Sequence, residues 1–207
     1  NVLDFGIGTG FDHPESLRKE FRNLLGEGLG HDDTPGIRKL LEGGAQLVGK
    51  TGAFVFFAQI FGPSHPATKE AHDSICDEGL FSTFLVSLLS ELDALYRDEQ
   101  IPYSLKLSER EKTFARYTEK FSEVKEQMRT KRFANFCQPG LNNAYLMSVG
   151  LYHRHYGLFE TVLARKGNSL KEFLLFFQGL SRDKGNLIDR TREWVDRQNA
   201  GQERASS

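Results

Sequence analysis

Three residues between positions 27 and 42 have the types and spacing that a metal-dependent hydrolytic site would use. Glu27 is followed by His31 four positions later, and Glu42 comes eleven positions after His31. Imidazole nitrogens and carboxylate oxygens bind zinc, and a further glutamate can act as general base on a metal-bound water. We therefore consider His31 and Glu42 as candidate metal ligands and Glu27 as a candidate catalytic base.

A second group of candidates follows the turn at Pro139-Gly140. Asn142 and Asn143 have the polarity to line a substrate cleft, and the hydroxyl of Tyr152 could support a developing oxyanion. The alternative is structural, because an asparagine pair after such a turn is a natural N-cap for the next helix. Both interpretations stay open at the level of sequence.

The remaining histidines give weaker signals. His153 and His155 are two positions apart on a predicted helix, so they point to different faces and cannot bind one ion together. His72 and Cys76 are four positions apart and could share a face, but two ligands without a third are weak evidence for a metal site.

A glycine-rich string at the start of the chain offers a different chemistry. Residues 2–10, Val-Leu-Asp-Phe-Gly-Ile-Gly-Thr-Gly, match the first motif of Rossmann-like methyltransferases that use S-adenosylmethionine. Such a motif needs a βαβ unit and an acidic residue after the second strand. The following sequence is helical in pattern, so a short strand or turn leading into a helix is the favoured interpretation.

Composition limits the other classes of function. The chain has 207 residues and a net charge of −1, so no nucleic-acid partner is expected. No apolar run approaches 18 residues, so no transmembrane segment is expected either. Cys76 and Cys137 could form at most one disulfide, which leaves the compartment open.

The elements that must position these candidates are helices. Thr34-Pro35 starts a helix that runs toward Phe61 despite four glycines, and a long amphipathic helix follows the Gly62-Pro63 break. Capping boxes at Ser108 and Ser169 predict two more helix starts, and one helix is expected from Asn142 to Lys166. We predict an all-α fold with six to seven helices in an irregular bundle.

The domain organisation follows from this pattern. We expect one helical domain over residues 1–200, in which residues 1–12 form a short strand, turn or loop remnant. Residues 201–207 are expected to be a disordered tail.

The stretch from Leu41 to Gly179 resembles the C-terminal part of the bacterial putative aminopeptidase family, described as zinc-dependent peptidases of the glutamate-zincin type. In that family a His-Glu-x-x-His helix precedes an Asn-Glu pair that opens a helix of the pattern Ala-x-x-Val-Gly-x-x-Gly-Ala. The matching features here are Leu41-Glu42, the run Ala45 to Ala53, the Phe-Gly-Pro break at Phe61, the helix with Phe81, Phe84, Leu85, Leu95 and Tyr96, the Ser108, Glu111 and Lys112 start, and Leu141 to Ala144 followed by Tyr152 and Phe159.

The resemblance implies zinc as cofactor and a peptide as substrate, cleaved at its N-terminal bond. It makes Glu42 the third zinc ligand and Glu27 the general base. The chain departs from the family where two histidines are expected, since Gly26 and Gly30 occupy those places and His31 lies one residue further on. Two functions therefore stay open beside the minor methyltransferase alternative: an active aminopeptidase, or an inactive or fragmentary homologue that acts as a binding module.

Overall fold

The described part of the chain is built from helices. In the computed structural model the backbone is described for residues 35–181 and 185–205, and side chains for residues 43–181 and 185–201. Over these residues the elements are α1 (Pro35–Phe61), α2 (Pro66–Arg97), α3 (Tyr103–Gln127), α4 (Asn143–His153), α5 (Tyr156–Arg165), α6 (Leu170–Ser181) and α7 (Leu187–Ala205). The all-α prediction is confirmed. The glycine motif at residues 2–10 lies outside the described residues.

The first helix is continuous and ends just before a glycine. α1 runs through Gly43, Gly44, Gly49 and Gly52 without a break, as expected, and these glycines are buried. It ends before Gly62, whose φ of +85° is a left-handed conformation that glycine adopts without a Cβ penalty. The N–H of Gly62 donates to the carbonyl of Ala58, which closes the last turn.

Two helix boundaries differ from the prediction. α3 begins at Tyr103 with Pro102 as its N-cap residue, so Ser108 lies inside the helix and does not open it. Pro102 fixes its own φ near −57° and lacks an N–H, which suits the position before a first turn. The single helix expected from Asn142 to Lys166 is two helices, because His155 leaves the α region with φ −115° and ψ 7°.

The predicted cap at Ser169 is present. Its hydroxyl accepts a hydrogen bond from the N–H of Glu172 at 3.3 Å, and α6 follows directly. Asn186 caps α7 in a similar way, with its side-chain oxygen 3.0 Å from the N–H of Ile188. α7 extends to Ala205, into the range where a tail was expected.

The helices gather into two compact units. The first consists of the described residues up to Ala71 and from His155 onward. Within it, α1, α5, α6 and α7 all contact one another. Their shared core is apolar and rich in phenylalanine, with the rings of Phe173 and Phe177 at 4.8 Å and those of Phe159 and Phe177 at 5.7 Å in edge-to-face contact.

The second unit spans His72 to Arg154. Its core forms between the apolar faces of α2, α3 and α4 and the segment that joins α3 to α4. α4 approaches α2 closely at Gly150, where an added Cβ would lie 3.1 Å from the side chain of Leu89. A larger residue at position 150 would therefore require the Leu89 side chain to shift by a few tenths of an ångström.

One helix has the length and composition of a membrane span. Within α2 an 18-residue window has a mean hydropathy of 1.3, and 39 % of that window is buried inside the fold. A core helix passes the same test, so among the described residues there is no clear transmembrane segment.

The carboxyl of Glu160 on α5 makes the first unit sensitive to pH. Burial raises the pKa of Glu160 above its ordinary value of 4.5. Below that ordinary pKa the group is protonated in both the folded and the unfolded chain. As pH rises through the raised folded pKa, the folded state must hold a poorly solvated carboxylate and stability falls.

We therefore expect Glu160→Gln to raise the unfolding midpoint at pH 7 and to leave it unchanged near pH 3.5, relative to the unmodified chain at each pH. Thermal unfolding followed by circular dichroism measures this difference. Glu193→Gln is the matched control, because Glu193 is exposed on α7 of the same unit. An equal shift for both variants at pH 7 would contradict the burial argument.

Candidate functional site

The candidates at the N-terminal end are placed only in part. Glu27 and His31 lie outside the described residues. Glu42 lies on α1, but its side chain is also outside the described part. The convergence of these three groups therefore stays a prediction.

Asn142 has a defined structural role. Its backbone is extended, with φ −151° and ψ 161°, and its side-chain oxygen accepts a hydrogen bond from the N–H of Tyr145 at 2.9 Å. This is an N-cap, which satisfies one of the free N–H groups at the start of α4. The structural alternative considered from sequence is thus realised, while a substrate contact by the same amide stays a prediction.

Asn143 connects the start of α4 to the end of α2. The hydroxyl of Tyr96 lies 2.8 Å from the amide nitrogen and 3.0 Å from the amide oxygen of Asn143. Lys106 donates to the carbonyl of Tyr96 at 2.8 Å, which brings the start of α3 to the same place. Asn143 is therefore engaged with protein groups at the junction of three helices.

Tyr152 lies at the other end of α4 and is 47 % exposed. It comes nine positions after Asn143 along the α-helix, which is a rise of about 13.5 Å and a rotation of about two and a half turns. The two side chains therefore leave opposite faces of the helix. Within α4 alone, Asn143 and Tyr152 do not face one small ligand.

The structure adds a buried polar cluster that sequence reasoning missed. Glu78 on α2 is fully buried, and its Oε1 lies 3.0 Å from Nδ1 of His153 at the end of α4. Ser82 Oγ lies 3.2 Å from the same nitrogen, and Arg132 Nε lies 3.4 Å from Glu78 Oε2. A signal was present in the sequence, because Glu78, Phe81, Ser82 and Leu85 follow the helical spacing of the buried face.

The geometry of this cluster does not suit nucleophilic catalysis. In a serine–histidine–acid arrangement the serine and the acid use different ring nitrogens of the histidine. Here Ser82 and Glu78 both contact Nδ1 of His153, and Ser82 is 2 % exposed. The cluster therefore joins α2 to α4.

Asp77, the neighbour of Glu78, anchors the segment after α3. Its carboxylate accepts from the N–H of Arg129 at 2.8 Å and from the N–H and hydroxyl of Thr130, both at 2.6 Å. Since charge-assisted bonds to backbone N–H groups are strong, α3 ends near Gln127 and the chain turns toward Arg132.

Neither cysteine forms a disulfide. Burial raises the pKa of the Cys137 thiol, although Thr118 and Lys125 act in the opposite direction. Cys137 is therefore a neutral thiol near pH 7 and a poor nucleophile. Cys76 and His72 share a face of α2 as predicted, with Sγ and Nδ1 at 3.9 Å.

The zinc site that the resemblance implies lacks two of its expected histidine ligands. Among the described side chains there is no group of three His, Cys, Asp or Glu residues that could hold a metal ion. In the segment where the resemblance implies zinc, His31 and Glu42 are two donors, and the glycines at 26 and 30 supply none. A catalytic zinc site needs three protein ligands, so a third donor would have to join His31 and Glu42.

The fold defines an all-α protein. Its helix α1 carries Glu42 and is rich in glycine, and its helix α4 is capped by Asn142. Comparison with family models identifies the family: the model described as "Putative aminopeptidase" matches residues 34–191, and the chain belongs to that family. This match confirms the family-level resemblance. Neither the comparison with curated proteins nor that with solved structures found a match.

The buried position of Glu78 predicts a large cost for its removal. Glu78→Ala leaves His153 and Arg132 without their carboxylate, and we expect a loss of about 3–5 kcal/mol in unfolding free energy. Glu78→Gln keeps the shape and should cost less. Chemical denaturation followed by circular dichroism gives these values.

The control for Glu78 is Glu91→Ala, which removes a carboxylate paired with Arg116 on the surface, where both side chains are more than 40 % exposed. An exposed pair contributes about 0–1 kcal/mol. Equal losses for Glu78→Ala and Glu91→Ala would show that the buried cluster is not a main support of the second unit.

Asn142 can be tested as a cap. Asn142→Ala should lower the unfolding free energy by about 1 kcal/mol, whereas Asn142→Ser keeps a capping oxygen and should change it by only a few tenths. The same denaturation measurement applies. If serine costs as much as alanine, the cap is not the main role of Asn142.

Proposed function

We propose that this protein acts on peptides and hydrolyses the bond after the N-terminal residue. The observation that carries the proposal is the family match over residues 34–191, a range that includes Glu42, the Asn142–Asn143 pair and Tyr152. The continuity of α1 through its buried glycines supports it, because the family pattern has these small residues directly after the glutamate.

The proposal gives each candidate residue a role. Glu42 and His31 are the donors that zinc would use, and zinc would supply Lewis-acid chemistry when bound. Glu27 is the base that takes a proton from the attacking water. Tyr152 donates a hydrogen bond to the oxygen on which negative charge develops. Asn142 and Asn143 lie at the other end of α4, so they contact a more distant part of the peptide.

A second candidate is peptide binding without hydrolysis. The specific observation in its favour is the pair of glycines, Gly26 and Gly30, at the two places where the family has histidines. Since glycine has no donor atom, the catalytic site would lack a ligand, while the helices that bind the peptide would be retained. The substrate class is then the same and only the bond cleavage is lost.

Metal content and turnover together separate the two candidates. For an active enzyme we expect zinc near one equivalent per chain by elemental analysis, and cleavage of amino-acid 4-nitroanilides that carry a free amino group. Glu42→Gln should abolish both. Glu70→Gln is the control, because Glu70 is an exposed carboxylate on α2 of the same unit.

The opposite result is equally specific. If the purified chain holds no zinc and cleaves none of the anilides after zinc is added, the aminopeptidase proposal is wrong and the binding candidate replaces it. If Glu42→Gln and Glu70→Gln lose the same amount of zinc, Glu42 is not a zinc ligand.

A further inference from the structure

The second unit contains a cavity that none of the proposed catalytic, metal-binding or peptide-binding residues lines. Its volume is about 280 Å³. Most of its wall is aromatic or aliphatic, contributed by Phe81, Phe133, Phe136, Tyr145 and Val149. Asn135 and Arg132 complete the lining. The cavity thus combines an apolar interior with one cationic group.

The aromatic wall is held in place by ring contacts. Phe81 stacks on Phe133 at 4.0 Å and meets the edge of Phe136 at 4.8 Å. Phe136 is in turn 5.6 Å from Tyr145 on α4. Phe81 is 1 % and Phe136 5 % exposed, so the rest of the core fixes them. A preformed wall reduces the entropy that a ligand loses on binding.

Arg132 is positioned by its contacts on both sides. Its Nε lies 3.4 Å from the buried carboxylate of Glu78, and its guanidinium carbon lies 5.6 Å from the centre of the Phe133 ring. Half of the Arg132 side chain is exposed. A guanidinium has five N–H donors in a planar fork, so the contact with Glu78 leaves donors for a second carboxylate.

The polar groups of the lining limit the charge of a ligand that can bind in the cavity. The other polar groups in the wall are the amide of Asn135 and the hydroxyl of Tyr145. Burial raises the pKa of Tyr145, so its hydroxyl is neutral near pH 7. Arg132 is therefore the charged group of the lining. Glu78 balances part of its charge, but the N–H donors that Glu78 does not use can bind a carboxylate and cannot bind an ammonium group. A peptide's free N-terminus does not suit this cavity.

The volume of the cavity suits a small ligand. It lies just below the range of about 300–1,000 Å³ typical of pockets for drug-sized ligands. One apolar side chain with its carboxylate fits in this volume.

We propose that this cavity binds an apolar amino-acid residue with a free α-carboxylate, with the side chain among the phenylalanine rings and the carboxylate on Arg132. This chemistry has two sources, the C-terminal residue of a peptide and a single N-acylated amino acid. The proposal goes beyond peptide cleavage and does not depend on it, because it is tested by binding alone.

Isothermal titration of the full chain tests the proposal with three probes: N-acetylphenylalanine, its amide, and acetyl-Ala-Ala-Phe with a free carboxylate. Both acids should bind, and the amide at least tenfold more weakly, since it cannot accept a charge-assisted pair of bonds from Arg132. Equal affinity of the two acids identifies the single residue as the ligand. Tighter binding of the tripeptide identifies a peptide C-terminus.

Two variants locate the site. Arg132→Gln should weaken both acids about tenfold, while Lys131→Gln, the exposed neighbouring cation, should change neither affinity. Val149→Trp should abolish binding by filling the cavity without removing a charge. It also keeps the test valid if Arg132→Gln destabilises the fold through Glu78.

The proposal is overturned by any of three results. These are no binding of either acid to the unmodified chain at millimolar concentration, equal binding of the acid and its amide, or unchanged acid binding in the folded Val149→Trp variant.

Discussion

A carboxylate can be buried in the apolar face of a helix only if other charged or polar groups replace the water it loses. Glu78 is such a carboxylate, on the buried face of α2 and about one turn before Phe81. Its two oxygens lie 3.0 Å from His153 Nδ1 and 3.4 Å from Arg132 Nε. His153 comes from the end of α4 and Arg132 from the segment after α3. The position of both elements is thereby tied to α2. The aromatic cavity depends on this, because Arg132 and Phe133 line it from the same segment.

The two ends of α4 perform different tasks. At the first end, Asn142 caps the helix and Asn143 bonds to Tyr96, so both asparagines contribute to structure whatever they do with a ligand. At the last end, His153 is buried while Tyr152 beside it is exposed. Tyr152 thus lies next to a residue that is fixed in the core, while its own side chain is nearly half exposed.

Much of the helical framework could be predicted from sequence. Pro35, the Gly62-Pro63 break and the Ser169 cap are local signals, and the helix boundaries there agree with them. The box at Ser108 failed because the same local pattern also occurs inside a helix, and Pro102 had already started α3. For the site, sequence placed Glu42 on the helix that is α1 and offered a helix cap as one of two interpretations of Asn142. The helical spacing puts Glu78 on the buried face, but a glutamate on an apolar stripe gives no indication of which groups neutralise it.

The sequence by itself determined the helical class and most helix boundaries, because periodicity and capping depend on residues within a few positions of one another. It also determined the membership of the putative aminopeptidase family, through the match over residues 34–191. Only the tertiary structure decided which polar groups are buried together. Ser82 meets His153 across 71 positions, and Asp77 meets Thr130 across 53. Contacts of that range depend on how helices pack, so the buried cluster and the cavity beside Arg132 become visible only in the folded chain.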